Sequence, residues 1–147
     1  MMCATKYLLL LCFLPVVYGA NPSGCTIRTI KHWRTATDFF NSIFPYDVMF
    51  DCICAERAEG LAWVTAIGAK TDDYSEYYNI YNITEIGGDQ PENERIKSML
   101  TKIVDANPQI MKFHKNGHYG CAYSTGVVTT THVVTCIFKK TSGRCIV

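Results

Sequence analysis

Apolar residues recur along this chain with helical spacing in three places and with strand-like composition in three others. Ala36, Phe39, Phe40, Ile43 and Phe44 fall at i, i+3, i+4, i+7 and i+8, which predicts a short helix with one apolar face. Thr35 or Thr37 is expected to cap its start, and Pro45 ends it. From Val48 to Ile67 the sequence is alanine-rich and apolar nearly all round, through Met49, Ile53, Ala55, Ala58, Leu61, Ala62 and Val64. A longer helix buried on more than one side is predicted there, weakened midway by Gly60 and closed by Gly68. Tyr77 to Ile86 is rich in tyrosine and isoleucine and reads as a strand that stops at Gly87-Gly88. Ile96, Met99, Leu100, Ile103 and Val104 form the stripe of a third helix over Pro91 to Asp105. Asp89 and Glu92 have the spacing of a capping box, and Asn107-Pro108 stops the helix. Tyr119 to Ser124 and Val127 to Phe138 read as two strands around a turn near Thr125-Gly126. Helices that precede and interrupt strands predict an α+β domain, layered around an antiparallel sheet.

The first residues belong to a different pattern. Lys6 supplies a positive charge, Leu8 to Val17 is almost unbroken apolar sequence, and small residues close the run at Gly19 and Ala20. This is the layout of a secretory signal peptide, expected to span residues 1–19 and to be cleaved after Gly19, because cleavage after Ala20 would put the bulky Tyr18 beside the site. The run is shorter than the roughly 20 residues that span a bilayer, and no second long run follows. The expected mature chain, residues 20–147, is a single secreted, extracellular domain with no membrane segment left.

Cysteine usage fits export. Of 8 cysteines, Cys3 and Cys12 leave with the signal, and Cys25, Cys52, Cys54, Cys121, Cys136 and Cys145 remain. An even set in a small secreted chain is a disulfide framework whose pairing the sequence does not choose. Cys52 and Cys54, two apart on a helix, point about 200° apart and should bond different partners. Cys121 and Cys136 become cross-strand neighbours if the register allows. Asn82-Ile83-Thr84 is an acceptor for N-glycosylation, whereas Asn21-Pro22-Ser23 is blocked by its proline.

Charge and candidate chemistry exclude more than they indicate. With 14 Lys+Arg against 13 Asp+Glu there is no broad basic face, and nucleic acid is not an expected partner. His114 and His118 lie four apart, which on a helix would make a zinc pair, but Asn116-Gly117 between them favours a turn and loop histidines. The serines show no nucleophile-elbow pattern, and the paired cysteines leave no thiolate. Asp72-Asp73 and Glu92 with Glu94 sit in polar, solvated stretches with little to shift them toward acid–base work. No catalysis, metal or cofactor is expected. Tyr74, Tyr77, Tyr78, Tyr81 and Tyr123 cluster on the strands and their approaches, and tyrosine joins apolar area to a polar tip at interfaces. They are a candidate binding surface.

Two stretches carry a family resemblance. Met49-Phe50-Asp51-Cys52 followed by Ala55-Glu56-Arg57-Ala58 is one. Gln109-Ile110-Met111, Tyr119-Gly120-Cys121-Ala122 and Val133-Val134-Thr135-Cys136 make up the other. Their order and spacing, over about half of the mature chain, resemble the CAP superfamily of cysteine-rich secretory, antigen 5 and pathogenesis-related 1 proteins. Within it they look most like the shortened, diverged relatives of nematode activation-associated secreted proteins. The resemblance implies a layered α-β-α sandwich with a small antiparallel sheet. It also implies two histidines and two glutamates facing one cleft, and here the sequence departs. The corresponding positions are Ala106, Tyr78, Lys102 and, in the first helix, Phe40 beside Asn41, so the resemblance implies loss of that tetrad and of the divalent-metal site some relatives build from it. The expectation that follows is a secreted, non-catalytic, CAP-like binding or effector protein with an extracellular protein partner, of host or immune origin. A secreted protease inhibitor and a lipid or sterol carrier are the alternatives.

Overall fold

The computed structural model describes residues 27–69, 74–126 and 130–146. The expected signal segment, Cys25, Asp72, Asp73 and the first residues of the last expected strand, from Val127, lie outside them. In chain order the elements are α1 (Ile27–Ile43), β1 (Met49–Phe50), α2 (Cys52–Ala66), β2 (Tyr78–Ile86), α3 (Glu92–Ala106), a 3-10 turn (Pro108–Lys112), β3 (His118–Thr125) and β4 (Thr131–Lys139). Among the described residues, three helices and a small sheet bear out the mixed α/β class.

The sheet runs β1-β3-β4-β2. β2 and β3 flank β4 antiparallel, and β1 adds to β3 in parallel, so the sheet is mixed and not antiparallel throughout. The parallel strand corrects the sequence reading of Val48 to Ile67 as one helix. Asp51 is extended at φ −120° and ψ 122°, and its carboxylate Oδ1 accepts from the Ile53 amide at 2.9 Å. An aspartate satisfying one of a helix's free N–H groups is an N-cap, so the helix starts at Cys52 and the apolar residues before it are free to join the sheet. Gly68, at φ +72°, closes α2 as expected.

Two other caps differ from expectation. Thr35 and Thr37 lie inside α1, which starts earlier, at Ile27. Instead of capping, the Thr35 hydroxyl donates to Asn93 Oδ1 at 3.2 Å, tying α1 to α3. Asp89 caps nothing, because Pro91 occupies the N-cap position of α3 without a side-chain bond. The connection is held by Arg95, buried at 3% exposure, whose guanidinium donates to the Gly87 and Gly88 carbonyls at 2.8 and 2.6 Å and lies 3.7 Å from Glu85.

Strand periodicity sorts the core into two sides. Tyr119, Cys121, Val134, Cys136, Phe138, Tyr81 and Ile83 face α1 and α3, where Phe40, Phe44, Met99, Leu100, Ile103 and Phe113 meet them. Gly120, Ala122, Ile137, Val133, Tyr78 and Ile80 face α2, where they meet Cys54, Ala55, Ala58, Leu61, Ala62 and Ala66. Register places Cys121 directly opposite Cys136, and the two form a disulfide with Cα atoms 4.1 Å apart. A second disulfide, Cys54–Cys145, fastens the C-terminal tail to α2 across 91 residues of chain. Cys52 is disulfide-bonded as well, and not to Cys54.

Candidate binding cleft and the Asp51 junction

A cleft of about 190 Å³ opens where β2 begins and β4 ends, against the 3-10 turn that follows α3. Its floor is apolar: Ile110, Phe113, Phe138 and Tyr81 all belong to the larger core. Phe113 and Phe138 meet edge to face with centroids 4.8 Å apart, and Tyr81 abuts Phe138 at 5.8 Å. The rim is polar and basic, made of Asn79, Gln109, Lys112, His114, Lys139 and Lys140, with no carboxylate in the lining. Lys139 Nζ donates to the Ser142 carbonyl at 3.3 Å and Lys140 Nζ to the Ser75 carbonyl, so both ammonium groups are held by main-chain oxygens of residues outside the lining. The His114 ring packs on Phe113 at 4.6 Å, and its Nε2 is buried with no hydrogen-bond partner among the described residues. The arrangement combines a hydrophobic seat with positive charge and no competing acid, which suits an anionic group carried on an apolar or aromatic body.

The second constellation is centred on Asp51, whose side chain is fully buried. Its Oδ2 lies 2.9 Å from His118 Nδ1, accepts from the Cys145 amide at 3.0 Å, and is 3.8 Å from the exposed Arg144 Nε. Its own backbone N–H donates to Tyr119 O at 2.7 Å. One carboxylate thus joins the start of α2, strand β3 and the C-terminal tail. His118 is therefore not a loop histidine: the turn at Lys115 and Asn116 ends before it, and it stands on β3 with a buried acid as partner. The sequence reading missed the pair because the two residues are 67 apart. A histidine oriented by an aspartate is half of a catalytic arrangement, yet no hydroxyl or thiol is bonded to His118 among the described residues. His118 is paired with Asp51 and His114 packs on Phe113, and among the described residues no group of three or more His, Cys, Asp or Glu could hold a metal ion.

A third polar group lies between α1 and the far end of the sheet. His32 Nε2 sits 3.1 Å from Glu92 Oε1, and the Tyr123 hydroxyl is 2.6 Å from His132 Nδ1. Burial, and then the Glu92 charge, push the Tyr123 phenol up. Burial, and then Arg95, push His132 down. Both shifts favour the neutral forms, and the direction of the hydrogen bond between them follows the imidazole tautomer. The space between these groups is about 10 Å³, too small for any ligand larger than water. Glu94 is exposed on α3 and shares no site with Glu92.

The five tyrosines do not form one surface. Tyr78 is buried at 1% exposure on the α2 side, where it packs with Tyr74 under the Arg57 guanidinium. Tyr81 is in the cleft floor, Tyr123 faces His132, and Tyr77 is exposed. Asn82 is exposed in the middle of β2. The four positions at which the family resemblance expects a tetrad do not meet either. Phe40 and Tyr78 are buried in different halves of the core, Lys102 is bonded to Glu85, and Ala106 is exposed. Comparison with protein-family models, with curated proteins and with solved structures gives no match to this chain.

Proposed function

We propose that this chain is a secreted, non-catalytic binding protein, CAP-like in descent, whose cleft receives an acidic group presented by an extracellular protein. The observation that carries the reading is the cleft itself: an aromatic floor ringed by Lys112, Lys139, Lys140 and His114 with no carboxylate in the lining. Field from several like charges over a low-dielectric floor concentrates anions and speeds their capture. The frame around it is rigid, since the floor residues belong to the core that the Cys121–Cys136 disulfide crosses. The signal-like N-terminus and the disulfide framework support an extracellular setting. The use made of Asp51 supports a non-catalytic role, because its carboxylate already holds a helix start, a histidine and the tail.

The reading is tested with labelled peptides bearing Asp, Glu or sulfotyrosine clusters beside an aromatic residue, each paired with its Asn, Gln or tyrosine counterpart. The disulfide-intact protein should bind the acidic member at least tenfold more tightly, with affinity falling as salt rises. Lys112→Glu with Lys140→Glu should abolish the preference while leaving the thermal midpoint within a few degrees. Equal binding of acidic and neutral members, or an unaltered preference in the double variant, would sink the proposal. Tight capture and inhibition of a secreted protease would move the reading to an inhibitor.

A further inference from the structure

The two edges of the sheet are unequal. On one side β1 is only two residues long and its chain turns away at once into α2. On the other, β2 pairs with β4 through nine consecutive positions, from Tyr78↔Lys139 to Ile86↔Thr131, with no interruption that would mark a bulge. Its outer edge has no strand partner among the described residues. Proteins blunt such edges with lysine, proline, a bulge or brevity. Tyr78-Asn79-Ile80-Tyr81-Asn82-Ile83-Thr84-Glu85-Ile86 has none of these. Its single charge, Glu85, turns inward to Lys102 and Arg95. α2 packs over β3 and β4, so Asn82, Thr84 and Ile86 stand exposed, Ile86 at 82%.

The segment is also complementary to itself. Antiparallel pairing of two copies about a two-fold axis at Asn82 sets Tyr81 against Ile83, Ile80 against Thr84, Asn79 against Glu85 and Tyr78 against Ile86. Aromatic residues meet β-branched ones, no like charges meet, and each side chain keeps its face of the sheet. Two four-stranded sheets would join into one. The residue on the axis is the acceptor of Asn82-Ile83-Thr84. Side chains directly opposite on paired strands are about 5 Å apart, far too close for two glycans.

We propose that β2 is a self-association edge, and that a glycan on Asn82 is the guard that keeps the secreted protein monomeric. The guard rests on the secreted reading above; the edge does not. The experiment is light scattering on size-exclusion fractions over a wide concentration range. It compares the protein secreted from eukaryotic cells, its Asn82→Gln and Thr84→Lys variants, and unglycosylated wild type refolded with its disulfides formed. Glycosylated wild type should be monomeric, and Asn82→Gln and the refolded wild type should form dimers that dissociate on dilution. Thr84→Lys, which also loses the acceptor but puts a charge on the edge, should stay monomeric with an unchanged circular-dichroism spectrum. Monomeric Asn82→Gln and refolded wild type at every concentration would overturn the edge. A wild type that is secreted without a glycan, or that dimerises with one, would overturn the guard. A chain that is not exported at all would overturn the secreted reading and with it the guard, while the refolded protein would still decide the edge.

Discussion

The two sides of the sheet are packed by opposite means. Toward α1 and α3 the contacts are large: Phe40 meets Tyr119, Phe138 and Phe44 with centroids 5.0 to 5.9 Å apart, and Met99, Leu100 and Ile103 close the layer. Toward α2 they are small. Ala55, Ala58, Ala62 and Ala66 lie along the buried face, and Gly120 lets the helix backbone come against the strand. A Cβ built on Gly120 would be 2.1 Å from the Ala55 nitrogen and 2.5 Å from the Cys54 carbonyl carbon. One side is filled by side chains and the other by proximity of main chains. The first is therefore sensitive to volume removed, and the second to volume added.

The sharpest break of that contrast is Gly120→Ala. The added methyl would strike backbone, and α2 is poorly placed to retreat, since Asp51 anchors its start and Cys54 is tied to Cys145. A loss on the order of 5 kcal/mol is expected, read as failure to show a cooperative urea transition. On the other side Phe40→Ala should cost about 3–4 kcal/mol by leaving a cavity at the centre of the aromatic cluster, and Phe40→Leu much less. If Gly120→Ala unfolded at the same urea concentration as wild type, the close approach of α2 would be wrong.

The Asp51 junction joins the two regimes. Asp51→Ala removes a helix cap, the partner of His118 and the acceptor of the Cys145 amide together, and should cost about 2–3 kcal/mol. Asp51→Asn keeps one acceptor oxygen and puts an NH2 donor in place of the other, against either the Ile53 amide or the Cys145 amide, so it should recover only a small part of the loss. A variant as stable as wild type in thermal melts would show that the helix, strand and tail are held elsewhere.

How much of this was legible follows the same division. The aromatic side was readable, because Phe40, Phe44, Met99, Leu100 and Ile103 repeat at helical spacing and β-rich segments announce their partners. The α2 side was readable only as an alanine-rich run. Its true start was hidden, since Val48, Met49 and Phe50 extend the helical apolar pattern, and only the fold shows Asp51 capping. Gly120-Cys121-Ala122 was visible as a motif, but its reason, a backbone contact with α2, depends on segments some 65 residues apart. The cleft draws on three separated stretches around Asn79, Gln109 to His114 and Phe138 to Lys140, none of which has a sequence signature. Long-range juxtaposition leaves no local period to read, and the same is true of Asp51 with His118.

The smallest effect sharpens the comparison because it has the opposite sign. Gly60 lies in the middle of α2, the helix that Gly120 admits, yet a Cβ built there meets nothing within 4 Å. It faces solvent, on the side of the helix turned away from the sheet, along with the exposed Trp63. A glycine inside a helix costs backbone entropy that alanine does not, and no contact here repays it. Gly60→Ala should therefore stabilise the protein by about 0.5–1 kcal/mol, seen as a higher urea midpoint with an unchanged slope. The two glycines are then separated by packing alone: the same substitution on two contacting elements destroys one interface and strengthens the helix that makes it. A destabilised Gly60→Ala would put a neighbour over that face of α2 and remove the distinction.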